Sequence, residues 1–342
     1  MLFDALIGTA DLGEAGRTAE AAERLGFDGL WTNETAHDPF LPLVPAALAT
    51  SRVRLGTAVA IAFPRSPTAM AYTAWDLARA SGGRFILGLG TQVKAHIERR
   101  FSVPWDAPVE RLRDYIGAIR AVWECWQTGE RLRYEGPYYN LKLMTPFFSP
   151  PPLPGPSHTP PIFIAGVNRR LCKLAGEVCN GFHAHAFHTP RYLRERILPW
   201  IEEGLASAGR ERGDVQVCTS VFAIVGRGDE WARAREDVRK QIAFYASTPS
   251  YRTLLEAHGW EATGEQLSRL AGRGRWDEMS GLITDEMLAE FAVEGDSLAG
   301  AARGIKERYT GLVDRVALYI PFAPGERDDE WREATAVMGG TG

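Results

Sequence analysis

Residues 53–90 read VRLGTAVAIAFPRSPTAMAYTAWDLARASGGRFILGLG. Val53–Ile61 is a short apolar run and reads as a strand. Ser66 is placed to cap a helix that begins at Pro67, since proline is favoured in a helix's first turn, where its missing N–H costs nothing. The helix runs to about Arg79 and breaks at Ser81-Gly82-Gly83. Arg84–Leu89 is the next strand. Strand, helix and strand within 38 residues make one βαβ unit, whose two strands lie parallel.

The same alternation extends in both directions. Toward the N-terminus lie a strand at Phe3–Gly8, a helix at Glu14–Leu25 stopped by Gly26, a strand at Phe27–Thr32 and a helix from Asp38 or Pro39 to Leu48. Toward the C-terminus a long helix at about Pro108–Gln127 is followed by strands at Ile162–Ala165, Gly181–His185, Val215–Val225 and Val316–Pro321. Helices are expected at Arg169–Cys179, Arg191–Ala208, from Glu230, and from Ser297 to about Tyr309. Eight strands in this order match a (β/α)₈ TIM barrel; eight parallel strands is high for a doubly wound sheet. The chain is read as a single domain over residues 1–342 with insertions over the C-terminal face at about 129–161 and 246–294. The first contains a hairpin around Glu135-Gly136-Pro137 and a proline-loaded stretch, Thr145–Pro161. That stretch also admits reading as a linker, but the alternation resumes unchanged after it. The second shows mixed helical signals and no clear strand. Both are expected to form the pocket lid.

Composition narrows the function. The chain has 342 residues, 45% hydrophobic and 24% charged, with a net charge of -4. That charge and the lack of a strongly basic segment argue against nucleic acid as the main partner. No basic n-region opens the chain and no apolar run is long enough to span a membrane. Cys125, Cys172, Cys179 and Cys218 form no C-x-x-C pair and read as buried free thiols. A cytoplasmic protein with no membrane partner is expected.

In such a barrel the chemistry sits at the C-terminal ends of the strands. After the second strand come Asn33, Glu34, Thr35, Ala36, His37 and Asp38, of which Glu34 and His37 are the candidate pocket-facing groups. Capping by Asp38 in a solvated turn is the plain alternative. After the third, Gly56, Ala58, Ala60 and Ala62 are small enough for a flat ring to lie against backbone, although they would also fill a narrow barrel layer. After the fourth, Gly88-Leu89-Gly90-Thr91-Gln92-Val93 begins like a dinucleotide fingerprint, but Val93 stands where the third glycine belongs. After the fifth, Ala165-Gly166-Val167-Asn168 leads into a helix whose free N–H groups and dipole favour phosphate, with Arg169 and Arg170 adding charge. After the sixth, His183 and His185 share a strand face and could hold a divalent ion. The only later histidine is His258, so the metal reading is carried as a rival and no metal is assigned.

The segments GFDGLWTNE, VRLGTAVAIAFPRSP, GGRFILGLGT and PIFIAGVNRRLCKLAGEVCNGF fall in this order along nearly the whole chain. They resemble the luciferase-like monooxygenase superfamily of flavin-dependent oxidoreductases. NETAHDPFLPL together with SGGRFILGLGTQVKAHIERRF looks most like its coenzyme F420-dependent oxidoreductase subgroup. The resemblance implies a homodimer carrying a deazaflavin, or a flavin, across the C-terminal face. It implies a non-proline cis peptide at the end of the third strand behind the ring, at Ala58–Val59. Glu34 and Thr35 map to the polar residues facing the ring, and Gly90, Thr91 and Gln92 border it. Ala165, Gly166, Val167 and Asn168 map to the phosphate of the cofactor tail, and His185 closes that site. Two departures stand out: deazaflavin enzymes commonly have Asp-His where this chain has Glu34-Thr35, and Val93 occupies the position of a glutamate proton donor. His37 is the nearby substitute for the histidine.

The resulting expectation is hydride transfer between coenzyme F420 and a small organic substrate, with Glu34, Thr35 and His37 handling protons or hydrogen-bonding the ring. Lys94, His96, Arg99 and Arg100 are either a solvated helix face or a contact for an anionic tail. The rivals are an FMN-dependent monooxygenase of the same fold, a metal-dependent hydrolase at His183 and His185, and a cofactor-binding protein without catalysis.

Overall fold

The parallel unit at residues 53–90 is repeated around a closed ring. The computed structural model describes residues 1–8, 11–155 and 159–339. Strands β1 (Leu2–Ile7), β2 (Gly29–Thr32), β3 (Arg54–Thr57), β4 (Phe85–Gly90), β5 (Ile162–Gly166), β6 (Gly181–Ala184), β7 (Gln216–Val225) and β8 (Arg315–Phe322) pair in parallel with their neighbours in sequence. β8 pairs back onto β1, with Leu2 opposite Arg315 and Asp4 opposite Ala317, and this closes the (β/α)₈ barrel.

Because side chains alternate across a strand, each strand feeds two cores. Phe3, Leu30, Leu55, Leu87, Ile162 and Phe182 pack outward into the main core shared with the helices. Trp31, Ile86, Phe163 and Cys218 form a separate cluster inside the barrel. The lumen is tight: a Cβ on Gly56 would lie 2.3 Å from the Trp31 ring, and one on Gly29 would lie 2.7 Å from Asp4 Oδ1. Asp4 and Arg315 are paired within it, their side chains 2% and 3% exposed. The Asp4 carboxylate accepts from Arg315 Nε at 2.8 Å, Arg315 Nη2 at 2.6 Å and Trp31 Nε1 at 2.8 Å. Every oxygen of the buried charge is therefore met by a donor, which is what makes such a charge tolerable.

Helices α1 (Ala15–Leu25), α2 (Leu43–Ala49) and α3 (Pro67–Ala80) follow the first three strands. Ser66 caps α3 by accepting the Ala69 N–H at 3.1 Å, with Pro67 in the first turn. α2 starts later than the sequence suggests. Asp38 Oδ1 accepts the N–H groups of Phe40 and Leu41 at 2.8 and 3.2 Å, folding residues 38–41 into a turn. After β4 come a short helix α4 (Lys94–Arg99) and the long α5 (Pro108–Thr128). α6 (Arg169–Val178) follows β5, and a helical run at 190–207 with a π turn at Leu193–Ile197 follows β6. α7 (Gly228–Ala246) follows β7.

The two insertions differ from expectation. In the first, Tyr134–Glu135 and Asn140–Leu141 form the hairpin. Buried Asp114 on α5 anchors it, accepting from Tyr134 Oη at 2.7 Å and from the Tyr138 and Tyr139 N–H groups at 2.8 and 2.9 Å. The described residues of the proline-rich stretch do not line the cavity at the strand ends and pack instead along α3 and α5: Trp75 Nε1 donates to the Pro151 carbonyl at 3.2 Å, Arg79 reaches Pro151 and Pro152, and Gln127 Nε2 donates to the Leu153 carbonyl at 3.2 Å. Residues 156–158 of that stretch lie outside the described residues. The second insertion is mostly helical but ends in a strand, Ala292–Gly295, which pairs in parallel with the last four residues of β7. A helix at Asp328–Gly339, not anticipated, packs under α1, with Thr335 Oγ1 donating to the Leu25 carbonyl at 2.6 Å.

Candidate active site

A cavity of about 340 Å³ opens at the C-terminal ends of the strands. Its floor includes Asp4, Trp31, His183 and Cys218 from the barrel lumen. One wall is backbone. β3 ends at Thr57, the Ala58–Val59 peptide bond is cis, and the chain resumes strand pairing with β4 at Ala60–Ile61. The apolar run 53–61 is thus one strand broken at the position the family resemblance marks. Gly90 makes the wall possible: a Cβ there would lie 2.6 Å from Val59 Cγ2. Ala58, Val59, Gly90 and Gln92 all line the cavity. Gln92 adopts φ 58°, uncommon for a residue with a Cβ, and its Oε1 accepts the Val93 N–H at 2.9 Å. Thr91 does not line the cavity; its hydroxyl donates to the Gln92 carbonyl at 3.1 Å.

Glu34 and Thr35 both reach the cavity, but Glu34 is fully engaged. Its Oε2 accepts the Ile61 N–H at 2.7 Å, and both oxygens accept from Arg65 Nη1 at 2.8 and 3.0 Å. Arg65 also holds Asp38 at 2.9 Å. Neither Arg65 nor Ile61 was singled out in the sequence, although an arginine closing the segment after β3 is the natural counter-ion for a carboxylate at the end of β2. His37 is exposed, lines no part of the cavity and has no hydrogen-bond partner among the described residues. Its expected place beside the ring is not where the structure puts it.

The turn after β5 divides between two spaces. Ala165 lines the main cavity, while Gly166 and Val167 line a narrower pocket beside it with His185, His188 and Tyr251. Asn168 caps α6 by accepting the Leu171 N–H at 3.0 Å, so one of the helix's free donors is taken. Arg169 and Arg170 are bound to Glu203 and Glu110 and add no free charge to the turn. Lys94, His96, Arg99 and Arg100 line neither space and are exposed. Arg100 Nη2 donates to the Thr35 carbonyl at 2.8 Å, joining the loops after β2 and β4.

His183 and His185 face the cavity from β6 and just beyond it, as two-residue periodicity requires. Burial pulls His183 down to about 3, with the Arg315 charge adding to the effect, and pulls His185 down to about 4. Both are neutral at physiological pH. His185 Nδ1 accepts the Phe187 N–H at 3.0 Å, so its proton is on Nε2. His183 Nε2 is buried without a partner. Among the described residues no group of three or more His, Cys, Asp or Glu side chains could hold a metal ion.

Among the lining residues that the sequence does not mark are two tyrosines. Tyr245, at the end of α7, and Tyr319, on β8, place their hydroxyls 3.0 Å apart at the cavity. Tyr319 lies toward the C-terminal end of a strand and was accessible to the strand-end rule. Tyr245 lies on a helix, where no local motif marks it.

Comparison with known proteins agrees with this architecture. Residues 3–315 match the family model of luciferase-like monooxygenases. An uncharacterised protein of Mycobacterium tuberculosis is 49% identical over 308 residues, covering 89% of each chain. The 5,10-methylenetetrahydromethanopterin reductase of Archaeoglobus fulgidus is 28% identical over 314 residues, covering 90% of this chain and 89% of the reductase. The solved coenzyme F420-dependent tetrahydromethanopterin reductase of Methanopyrus kandleri superposes with a TM-score of 0.78 at 22% identity, over 98% of this chain and 97% of that one. The chain therefore belongs to the luciferase-like monooxygenase family, as one of its barrel oxidoreductases.

Proposed function

We propose that the protein is a coenzyme F420-dependent oxidoreductase that exchanges a hydride with a small organic substrate. The observation that carries this reading is the cavity wall at the strand ends lined by Ala58, Val59 and Gly90, small and backbone groups that suit the face of a flat tricyclic ring. A putative coenzyme F420-dependent oxidoreductase of Mycobacterium tuberculosis, 30% identical over 81% of this chain and 82% of its own length, supports the choice of a deazaflavin. When bound, the deazaflavin supplies the hydride chemistry; the protein supplies position and surroundings.

Within this reading Ala58, Val59 and Gly90 back the ring, and Gln92 and Thr35 border its polar edge. Gly166 and Val167, at the N-terminus of α6, offer backbone donors to the phosphate of the tail. The Nε2–H of His185 stands between the two spaces as a neutral donor to that tail. Glu34 positions the wall through Ile61 and Arg65 and does not serve as a proton donor. Trp31, hydrogen-bonded to the Asp4 carboxylate that Arg315 neutralises, closes the floor.

A homodimer belongs to the same reading. Leu41, Val44 and Leu48, 55%, 46% and 74% exposed, form an apolar stripe at α2 that a second copy would cover. Operation in the cytoplasm is proposed on the four buried, unpaired cysteines. Among the described residues no helix is long and apolar enough to cross a membrane.

Oxygen consumption tests the reaction class. Purified protein is placed in an oxygen electrode with reduced FMN, and separately with reduced coenzyme F420. Oxygen uptake at the rate of free reduced FMN, unchanged by protein, agrees with a deazaflavin enzyme. Protein-dependent oxygen uptake with reduced FMN points to the monooxygenase instead.

A further inference from the structure

The cavity has a second wall opposite the cis bond. In the closed barrel β3 and β4 stand across from β7 and β8. Tyr319 comes from β8 and Tyr245 from the helix that follows β7, and both line the cavity. Between their hydroxyls, 3.0 Å apart, one proton is spent. Neither hydroxyl has another hydrogen-bond partner among the described residues, so the pair retains one donor proton. The rings are held by packing: Tyr245 lies edge-on to His185 with centroids 4.7 Å apart, and Tyr319 edge-on to Phe222 at 5.1 Å.

The charges around the cavity limit what the pair can meet. The lining carboxylates are both committed, Asp4 to Arg315 and Glu34 to Arg65. The lining histidines, His183 and His185, are neutral. No cation lines the main cavity among the described residues. An anionic substrate group there would be desolvated without a counter-charge, at a prohibitive cost.

We propose that Tyr245 and Tyr319 form a hydroxyl pair that binds the carbonyl oxygen of an uncharged substrate facing the Ala58–Val59 wall. This rests on the oxidoreductase reading and narrows it to neutral carbonyl compounds, or the alcohols they correspond to, and against carboxylates and phosphate esters at the reacting end. Burial, with the Tyr319 hydrogen bond, pushes the Tyr245 phenol upward, so the donor keeps its proton at any working pH.

The probe is 4-(dimethylamino)cinnamaldehyde, a neutral aldehyde whose long-wavelength absorption moves to the red when its carbonyl accepts hydrogen bonds. Its spectrum is recorded with the wild-type protein, with and without coenzyme F420, and with Tyr245→Phe and Tyr319→Phe, which keep the rings. Competition by benzaldehyde and by anionic 4-formylbenzoate is measured on the wild type, so the result does not depend on either variant folding. The proposal requires a red shift in the wild type, its loss by half or more in each variant, and 4-formylbenzoate competing about tenfold or more weakly than benzaldehyde. It is overturned by the absence of a shift in the wild type, by a shift in either variant that keeps more than half of the wild type's, or by equal competition from the anion. Coenzyme F420 fluorescence titration of the same samples separates the two readings. Failure of F420 to bind the wild type overturns the cofactor assignment, while the aldehyde band still reports on the phenols.

Discussion

Glu34 accepts the backbone N–H of Ile61 at 2.7 Å, two residues beyond the cis Ala58–Val59 bond. A carboxylate at the end of β2 thus fixes the wall at the end of β3, and Arg65 neutralises it from the other side. Glu34→Ala removes the acceptor and leaves Arg65 half-paired. Hydrogen bonds to charged groups contribute about 1.5–3 kcal/mol, so coenzyme F420 affinity is expected to fall roughly 10–150-fold. Glu34→Gln keeps an acceptor for Ile61 and should fall in between. Fluorescence titration measures both, and unchanged affinity in Glu34→Ala would refute the positioning role.

The luminal pair gives a second prediction. Arg315→Met strands the Asp4 carboxylate in the barrel, at a cost of about 3–5 kcal/mol. The double variant Asp4→Asn with Arg315→Met should lose less than Arg315→Met alone, because no buried charge remains. Urea unfolding midpoints of the wild type, Asp4→Asn, Arg315→Met and the double variant test this through the coupling between the two sites.

The buried histidines set the acid limit. Burial holds His183 at about 3 and His185 and His188 at about 4, against 6.5 for an unperturbed imidazole. Above pH 6.5 folded and unfolded chains are both neutral at these sites, and the full stability is present. As pH falls from 6.5 toward 4, the unfolded chain takes up protons that the folded chain refuses, so stability declines by about 1.4 kcal/mol per pH unit for each histidine. His183 Nε2 has no hydrogen bond to lose. His183→Phe should therefore hold its stability better on acidification, with one histidine's slope removed. A slope equal to the wild type's would show that His183 does not titrate as described.

The hairpin at 134–141 depends on one side chain. Asp114 is 5% exposed and accepts three hydrogen bonds from it. Asp114→Ala is expected to cost about 2–4 kcal/mol and to open Arg131 and Arg133 to trypsin. A Cβ at Gly136 would lie 1.9 Å from Asp114 Oδ1, so Gly136→Ala should produce the same cleavage pattern with Asp114 intact. Limited proteolysis followed by mass measurement distinguishes release of the hairpin from global unfolding.

The barrel was legible because each of its elements carries local chemistry: Ser66 and Pro67 start α3, Gly26 stops α1, and the apolar runs are bounded by turn residues. The cavity wall at Ala58, Val59, Gly90 and Gln92 followed from strand-end logic and the family resemblance together. Non-local pairing was harder to see. Nothing near Glu34 in sequence announces that Arg65, thirty-one residues on, will consume its charge, and the same holds for Arg170 with Glu110 sixty residues away. His37 looked available because it sits beside Glu34, but Asp38 turns the chain just after it and leaves the imidazole in solvent. The strand at Ala292–Gly295 is only four residues long and exists because the edge of β7 is there to receive it. The position of the proline-rich stretch in the chain points to the mouth of the barrel; the carbonyls of Pro151 and Pro152 instead find donors on α3.

A deazaflavin site on the wall at Ala58, Val59 and Gly90 is decided by titrating the purified protein with coenzyme F420 and, separately, with FMN, followed by fluorescence. Saturable binding of coenzyme F420 at least about tenfold tighter than FMN is expected, weakened in Glu34→Ala. Tighter binding of FMN, or binding of neither, would contradict it.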